Sequence, residues 1–261
     1  VNACRWSTLA VPHAPYVTSL SWISHYGCYY VVHGDDVTTD SGGEDCYRYV
    51  KEAGRFLIVK RTPGISTTDL VGRMLLCTKS HFIKSLEGML SGDEGPGSPE
   101  ERKRLGAEMK QRIKDYASDE SGLLPGPVVM SWNTPNSLAQ VDISGSFTTM
   151  VDGKPPRPGQ RIIYVDGGFD LFSSGHIEFL RQVAKREHEI GYKSGWFEKV
   201  ASEARIDTAG EDFGPAFIIA GIHDDGVINY WKGVNYPIMN IFERGLCVLQ
   251  CRVSSHPLSV F

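Results

Sequence analysis

Short runs of β-branched and aromatic residues alternate along the chain with stretches whose apolar positions recur every three or four residues. Residues 29–33, Tyr-Tyr-Val-Val-His, predict a buried strand that stops at Gly34-Asp35-Asp36. Residues 45–54 predict a short helix and residues 55–60 a second strand. Residues 68–76 predict a helix that opens on polar caps. Strand, helix, strand, helix is the order of parallel α/β units. The sequence SGDEGPGSPE at 91–100 then breaks the pattern. An amphipathic helix follows, with Leu105, Met109, Ile113 and Tyr116 on one face. Two more breaks come at LLPGPVV near residue 125 and at GKPPRPGQ, residues 153–160. A new unit starts with a strand at 161–165, a turn at 166–170 and a helix at 177–183. Residues 185–214 are polar and glycine-interrupted, as in an insertion, and residues 216–223 predict a second buried strand. This order is again βαβ, expected with the right-handed crossover.

One internal match changes how these pieces are grouped. The chain opens Val1-x-x-Cys4-Arg5-x-Ser7 and near its end reads Val248-x-x-Cys251-Arg252-x-Ser254. Two copies of one pattern at opposite ends point to a tandem duplication that starts and stops at the same phase. Residues 1–90 are then the back half of one domain. Residues 91–159 are a linker carrying the amphipathic helix, and residues 160–261 are the front half of the next domain. The start at Val1, in mid-element and without an initiator Met, reads as a partial chain.

Composition adds exclusions. A length of 261 residues allows one or two domains. With 27 basic and 31 acidic residues the formal charge is −4, so a nucleic-acid partner is not expected. No run of 18 apolar residues occurs that would predict a membrane span. Six cysteines are scattered without paired CxxC motifs, which argues against a zinc site and for free thiols in a reducing, cytosolic compartment.

Two segments carry chemistry. In YVDGGFDLFSSGHIEFL, residues 164–180, a strand ends, a glycine turn follows and a helix opens at Ser173-Ser174-Gly175-His176. The unpaired amides of a helix N-terminus suit phosphate, and His176 is placed to donate to its oxygens. The pattern is not GxGxxG, which disfavours an ordinary dinucleotide fold. In RTPGISTTD, residues 61–69, Arg61 can clamp phosphate, Pro63-Gly64 turn tightly, and Ser66, Thr67 and Thr68 offer hydroxyls. By spacing alone this segment is equally an anion cradle or a plain helix start.

Taken together, these segments resemble the cytidylyltransferase branch of the nucleotidylyltransferases, and most closely the ethanolamine-phosphate cytidylyltransferase family. The similarity extends to APYVT at 14–18, YVVHGDD at 30–36, AGRF at 53–56, KRTPGISTTDLVGRMLL at 60–76, IIYVDGGFDLF at 162–172 and YWKGVNYPIMNIFERGL at 230–246. The resemblance implies a Rossmann-like fold with a parallel sheet, present here as two incomplete tandem units. It implies an enzyme that transfers CMP from CTP to phosphoethanolamine, releasing pyrophosphate and forming CDP-ethanolamine for phosphatidylethanolamine synthesis. Mg²⁺ would accompany the CTP, with no tightly bound cofactor and no protein-held metal. The implied setting is cytoplasmic, with peripheral contact at the endoplasmic reticulum and a homodimer both left open.

Position by position, the resemblance assigns Gly168, Phe169 and Asp170 to the nucleotide pocket. His176 becomes the second histidine of an HxGH motif, and Lys232 the phosphate-binding lysine. His33, Gly34, Asp35 and Asp36 become the loop beside the substrate. Arg61, Thr62, Gly64, Ile65, Ser66, Thr67 and Thr68 become the loop over the nucleotide, and His176, Lys232 and Arg61 the catalytic cations. The chain departs from the pattern at Ser173, where the first histidine of HxGH would stand. Each tandem unit also carries half of a nucleotide site. Three alternatives therefore stay open: a non-catalytic nucleotide-binding or regulatory module, two halves that complement one another, and another nucleotidylyltransferase such as a choline-phosphate cytidylyltransferase. His223 is read as structural or near the nucleotide turn, Glu243 and Arg244 as packing or interface residues, and Cys247 and Cys251 as core-facing thiols.

Overall fold

The computed structural model describes residues 1–60, 66–133, 145–233 and 235–252, with 259–260 as backbone alone. It divides into two compact units, residues 9–69 and residues 1–8 together with 70–261. These units follow packing, whereas the division at residues 90 and 160 follows the repeat. Residues 70–90 pack with the larger unit. Arg61, Thr62, Gly64 and Ile65 lie outside the described residues.

The smaller unit contains α1 (Leu20–His25), β1 (Val31–His33), α2 (Arg48–Glu52) and β2 (Phe56–Ile58). The strands pair in parallel, with Val31 opposite Phe56 and His33 opposite Ile58, as the strand-helix-strand order predicts. Val50 and Cys46 are fully buried beneath them. Asp40 ties this unit's loop together: its carboxylate accepts the Gly42 and Glu44 amides and pairs with Arg48 at 2.9 Å.

Helix α3 (Thr67–Leu76) leads into the larger unit, followed by α4 (Leu86–Ser91) and α5 (Pro99–Tyr116). Ser98 and Glu101 cap α5 reciprocally, and Pro99 sits in its first turn, so the helix starts where the acidic break ends. Its apolar face is the expected one: Met109 and Ile113 are buried, with Leu105 and Tyr116 packed beside them. Helices α4 and α5 approach closely at Gly106, where a Cβ would stand 2.5 Å from the Leu90 carbonyl oxygen.

The span read as a linker also carries β3 (Val129–Asn133) and β4 (Ser146–Val151), an antiparallel pair. The Pro/Gly signals on either side masked a strand pattern in which Val129 and Val151 face the core. Then come β5 (Arg161–Gly167), α6 (Ser174–Lys193), α7 (Lys199–Ala209), β6 (Ala216–Ile222), α8 (Asp225–Lys232), α9 (Ile241–Leu249) and β7 (Ser259–Val260). The sheet order is β4-β3-β7-β6-β5, with β5 and β6 parallel over seven residue pairs. The fold is thus mixed α/β, Rossmann-like in its parallel pairs β1–β2, β5–β6, β6–β7 and β3–β7, with β3–β4 antiparallel. The polar stretch from residue 185 begins as a continuation of α6, which runs on to Lys193. Beyond it, Arg205 lies over the Trp196 ring at 4.5 Å and bonds Asp212 at 2.6 Å, closing this segment on itself.

Strand β5 ends the sheet among the described residues, and its Ile162 and Tyr164 are exposed. No helix of the described residues is long and apolar enough to cross a membrane.

The core of the larger unit joins Val165, Phe169, Leu180, Ala220, Leu246, Val248 and Leu249. Each large aliphatic side chain buried here contributes roughly 1.5–3 kcal/mol over its exposed state. Within this core lies a complete ion pair. Arg244 and Asp225 are both fully buried and 2.7 Å apart. Arg244 also donates to the carbonyls of Met239, Gly168 and His223, and the second Asp225 oxygen accepts the Ile83 amide. Burial pushes the Asp225 carboxyl above its ordinary range against the opposing pull of Ile83 N–H and Arg244.

The two ends of the chain meet in the same unit. Cys4 forms an antiparallel bridge with Cys251, so the two copies of the repeat face each other. Arg5 N–H donates to the Gln250 carbonyl and Arg252 N–H to that of Ala3. The Arg5 guanidinium donates onward to the Tyr116, Ser118 and Asp119 carbonyls at the end of α5.

Two outcomes follow from these ion pairs. Arg244→Met leaves a buried carboxylate without its counter-ion and is expected to cost about 3–5 kcal/mol in denaturant unfolding. A loss under about 1 kcal/mol would show that the pair does not anchor the unit. Asp212 is held by Arg205 and Ser202, which bring its pKa from 3.8 down to about 2. A depressed folded value means a stabilisation complete above 3.8 and lost as pH falls toward 2. Thermal melts between pH 5 and 2 should fall more steeply for the native chain than for Asp212→Asn, and parallel curves would refute the assignment.

Candidate functional site

The site is built where β5 ends. Residues Gly167 and Gly168 let the chain leave the strand, and the next residues turn sharply. Phe169 and Leu171 both adopt positive φ, at 50° and 47°. Such a conformation costs a non-glycine residue on the order of 1–3 kcal/mol and persists only where its surroundings enforce it. Here three contacts do so. Arg244 donates to the Gly168 carbonyl. Phe169 is buried in the core. The Asp170 carboxylate accepts the main-chain amides of Ile238 and Met239 at 2.7 and 2.8 Å, and that of Leu171 at 3.0 Å. Asp170 therefore fastens the turn to the segment before α9.

Helix α6 follows at once and aims its N-terminus at the turn. His176 reaches back so that its Nδ1 accepts the Ser173 amide at 3.1 Å. The hydrogen of the neutral ring is then on Nε2, free to donate. The ring stacks on Phe172, with centroids 5.4 Å apart and planes 16° apart, which fixes its direction. A Cβ on Gly175 would meet only the Ser173 hydroxyl, at 3.7 Å, so the helix start is open to an approaching anion.

Lys232 closes the opposite side from the last turn of α8. Its ammonium lies 4.0 Å from where a Cβ on Gly168 would stand. Asn229 holds the loop beyond it, donating to the carbonyls of Gly233 and Tyr236 at 2.9 and 2.8 Å. Gly168, Phe169, Asp170, His176, Lys232 and Tyr236 thus line one cavity of about 230 Å³. Asp166 borders it too, and its carboxylate lies 3.8 Å from His223 Nε2. Small-molecule sites usually hold about 300–1,000 Å³, so this one matches a phosphate chain better than a whole nucleotide. A cavity of about 690 Å³ elsewhere in the unit is lined by Trp132, Tyr164, His223 and Phe242. It contains none of the residues assigned to the nucleotide.

The larger unit therefore gathers the glycine turn, His176 and Lys232. Ser173 stands at the α6 cap, exposed, with its amide donating to His176 Nδ1 and its hydroxyl 3.4 Å from the same nitrogen. The substrate-loop residues belong to the smaller unit. There His33 ends β1 with its ring 4.7 Å from Tyr47 and Nδ1 3.2 Å from the Gly34 carbonyl. The Asp36 carboxylate folds back over Gly34, 2.7 Å from where a Cβ would stand, beside Asp35. Ser66 is half-buried ahead of α3, and Thr67 and Thr68 are exposed in its first turn. Sequence reasoning missed Asn229 and Tyr236, and it left Arg244 as plain packing. The cue for the first two was their place on either side of Lys232, and for Arg244 the apolar residues surrounding a lone cation.

The cytidylyltransferase-like family matches residues 1–73. Over 98% of its length the chain is 38% identical to a mouse ethanolamine-phosphate cytidylyltransferase, of which it covers 55%. Over 97% of its length it is 34% identical to a Dictyostelium discoideum protein of the same name, again covering 55% of it. A choline-phosphate cytidylyltransferase of Arabidopsis thaliana is 31% identical, but over 41% of this chain and 36% of that protein. The chain spans about half the length of the curated ethanolamine-phosphate relatives it matches. Over nearly all of its own length the chain is therefore similar to ethanolamine-phosphate cytidylyltransferases.

Proposed function

We propose that this chain binds CTP through its phosphates at the α6 N-terminus and Lys232, in a site built to transfer CMP from CTP to phosphoethanolamine. The products are CDP-ethanolamine and pyrophosphate. The observation that carries the proposal is the placement of the Lys232 ammonium and the His176 ring around one cavity at the Gly168 turn.

In this reading a phosphate oxygen of phosphoethanolamine attacks the α-phosphorus of CTP in line. The bond from that phosphorus to its bridging oxygen breaks and pyrophosphate leaves. The attacking oxygen is already ionised, so no base has to remove a proton. The protein's task is to position the reactants and to offset charge. His176 Nε2–H donates to a phosphoryl oxygen and Lys232 neutralises the phosphates; Arg61, Ser66, Thr67 and Thr68 are assigned to the nucleotide by motif resemblance alone. Asp35 is the group we assign to the ethanolamine ammonium. Mg²⁺ bound to a triphosphate neutralises its charge and keeps most of its waters. Among the described residues no three potential ligands gather in one place. Asp166, at the cavity edge, is the carboxylate that a cation carried in by CTP would meet.

Ser173 favours a second reading, a nucleotide-binding module without turnover. A serine does not supply the imidazolium that the family pattern has there, and losing one such donor costs about 10²–10³ in rate. One set of measurements separates the two. Titration calorimetry with Mg·CTP should show binding, weakened about 10–100-fold in Lys232→Ala. Radiolabelled phosphoethanolamine should yield CDP-ethanolamine, and Ser173→His should raise that rate by about 10²-fold. Binding without product in both chains identifies the module. No binding of CTP at all overturns the proposal.

A further inference from the structure

The repeat that revealed the tandem pattern brings two thiols together. Cys4 and Cys251 are partners in an antiparallel bridge. The flanking hydrogen bonds, Arg5 N–H to Gln250 and Arg252 N–H to Ala3, bracket the pair rather than joining the two cysteines themselves. This is the non-hydrogen-bonded type of pair, in which Cα atoms stand about 4.5 Å apart and the side chains lie close. Disulfides span about 4.4–6.8 Å between Cα atoms. Both strands are anchored. Arg5 is tied to the end of α5 at Ser118 and Asp119, and Cys251 directly follows α9. Cys4 is half-buried and Cys251 is 8% exposed, so the first thiol is open to a small reagent and the second is shielded.

We propose that Cys4 and Cys251 are a thiol-modification site that closes to an intramolecular disulfide when a low-molecular-weight disulfide such as oxidised glutathione is present. Cys4 thiolate attacks one sulfur of the glutathione disulfide, forms a mixed disulfide and expels one glutathione thiolate. Cys251, as thiolate, then attacks the Cys4 sulfur and expels the second. One protein S–S bond forms and the glutathione S–S bond is consumed. Two cysteines are oxidised and two glutathione thiols are released. Burial pushes the Cys251 thiol up to about 11, which makes Cys4 the entry point and Cys251 the resolving group. The link fastens residues 1–8 to the end of α9, and reduction releases it.

The test uses the full chain, equilibrated with reduced and oxidised glutathione, acid-quenched, alkylated and digested with trypsin. Trypsin cuts after Arg5, Arg244 and Arg252, giving peptides 1–5 and 245–252. The second peptide also contains Cys247, so Cys247→Ser is run in parallel. The expected result is the two peptides joined and lighter by two hydrogens, in both the native chain and Cys247→Ser. The link should be absent in Cys4→Ser and in Cys251→Ser. The oxidised chain should run as a monomer on a non-reducing gel and melt about 5 °C or more above its reduced form. Recovery of Cys4 only as its glutathione adduct, joined to Cys247, joined to a second copy, or fully alkylated would overturn the proposal. A link with unchanged Tm would overturn its role as a fastening.

Discussion

A guanidinium without solvent must find partners for its donors inside the protein, and the larger unit is organised around one that does. Arg244 draws together the end of β5 through Gly168, the end of β6 through His223, the start of α8 through Asp225 and the entry to α9 through Met239. The first of these, the turn after β5, lines the cavity. Hydrophobic packing of Leu246, Val248 and Leu249 puts α9 against the sheet without direction. The charged contacts add direction, since a shift of one element would leave a buried donor or acceptor empty.

That constraint explains how a strained turn survives. Two side chains at positive φ would relax if the loop were free. Arg244 holds the carbonyl before them, and Asp170 spends its carboxylate on three main-chain amides. A residue assigned to the nucleotide from its motif therefore acts on the main chain as a fastener. Helix α3 leans on the same wall from outside: Arg73 grips the Glu243 carboxylate at 2.8 and 3.0 Å and reaches the Ile238 carbonyl at 3.0 Å. His176 caps α6 through Nδ1 and stacks on Phe172, so its Nε2 is the nitrogen left to face the cavity that Lys232 also lines. Both groups are presented by the frame.

Much of this was readable from the residues. The parallel β5 and β6 declared themselves by unbroken apolar runs, and α5 by its three-four spacing. The glycine turn and Lys232 came from motif resemblance, and the structure gathers them at one cavity. The β3–β4 hairpin was hidden because proline and glycine on its flanks outweighed short strands whose pairing is non-local. The pairing of Cys4 with Cys251 was invisible for a related reason. The repeat showed that the two ends are alike, and likeness in sequence says nothing about contact. Arg244 was legible as a packing or interface position, but its partners come from four separate segments that no local window contains.

The position of β5 at the margin of its sheet has a practical side. Among the described residues β5 has a strand partner on one side only, and its Ile162 and Tyr164 are exposed. Such a margin welcomes any extended polypeptide. Charged side chains at its ends, Arg161 bridged to Glu187 and Asp166 beside His223, are the kind of feature that blunts an edge strand.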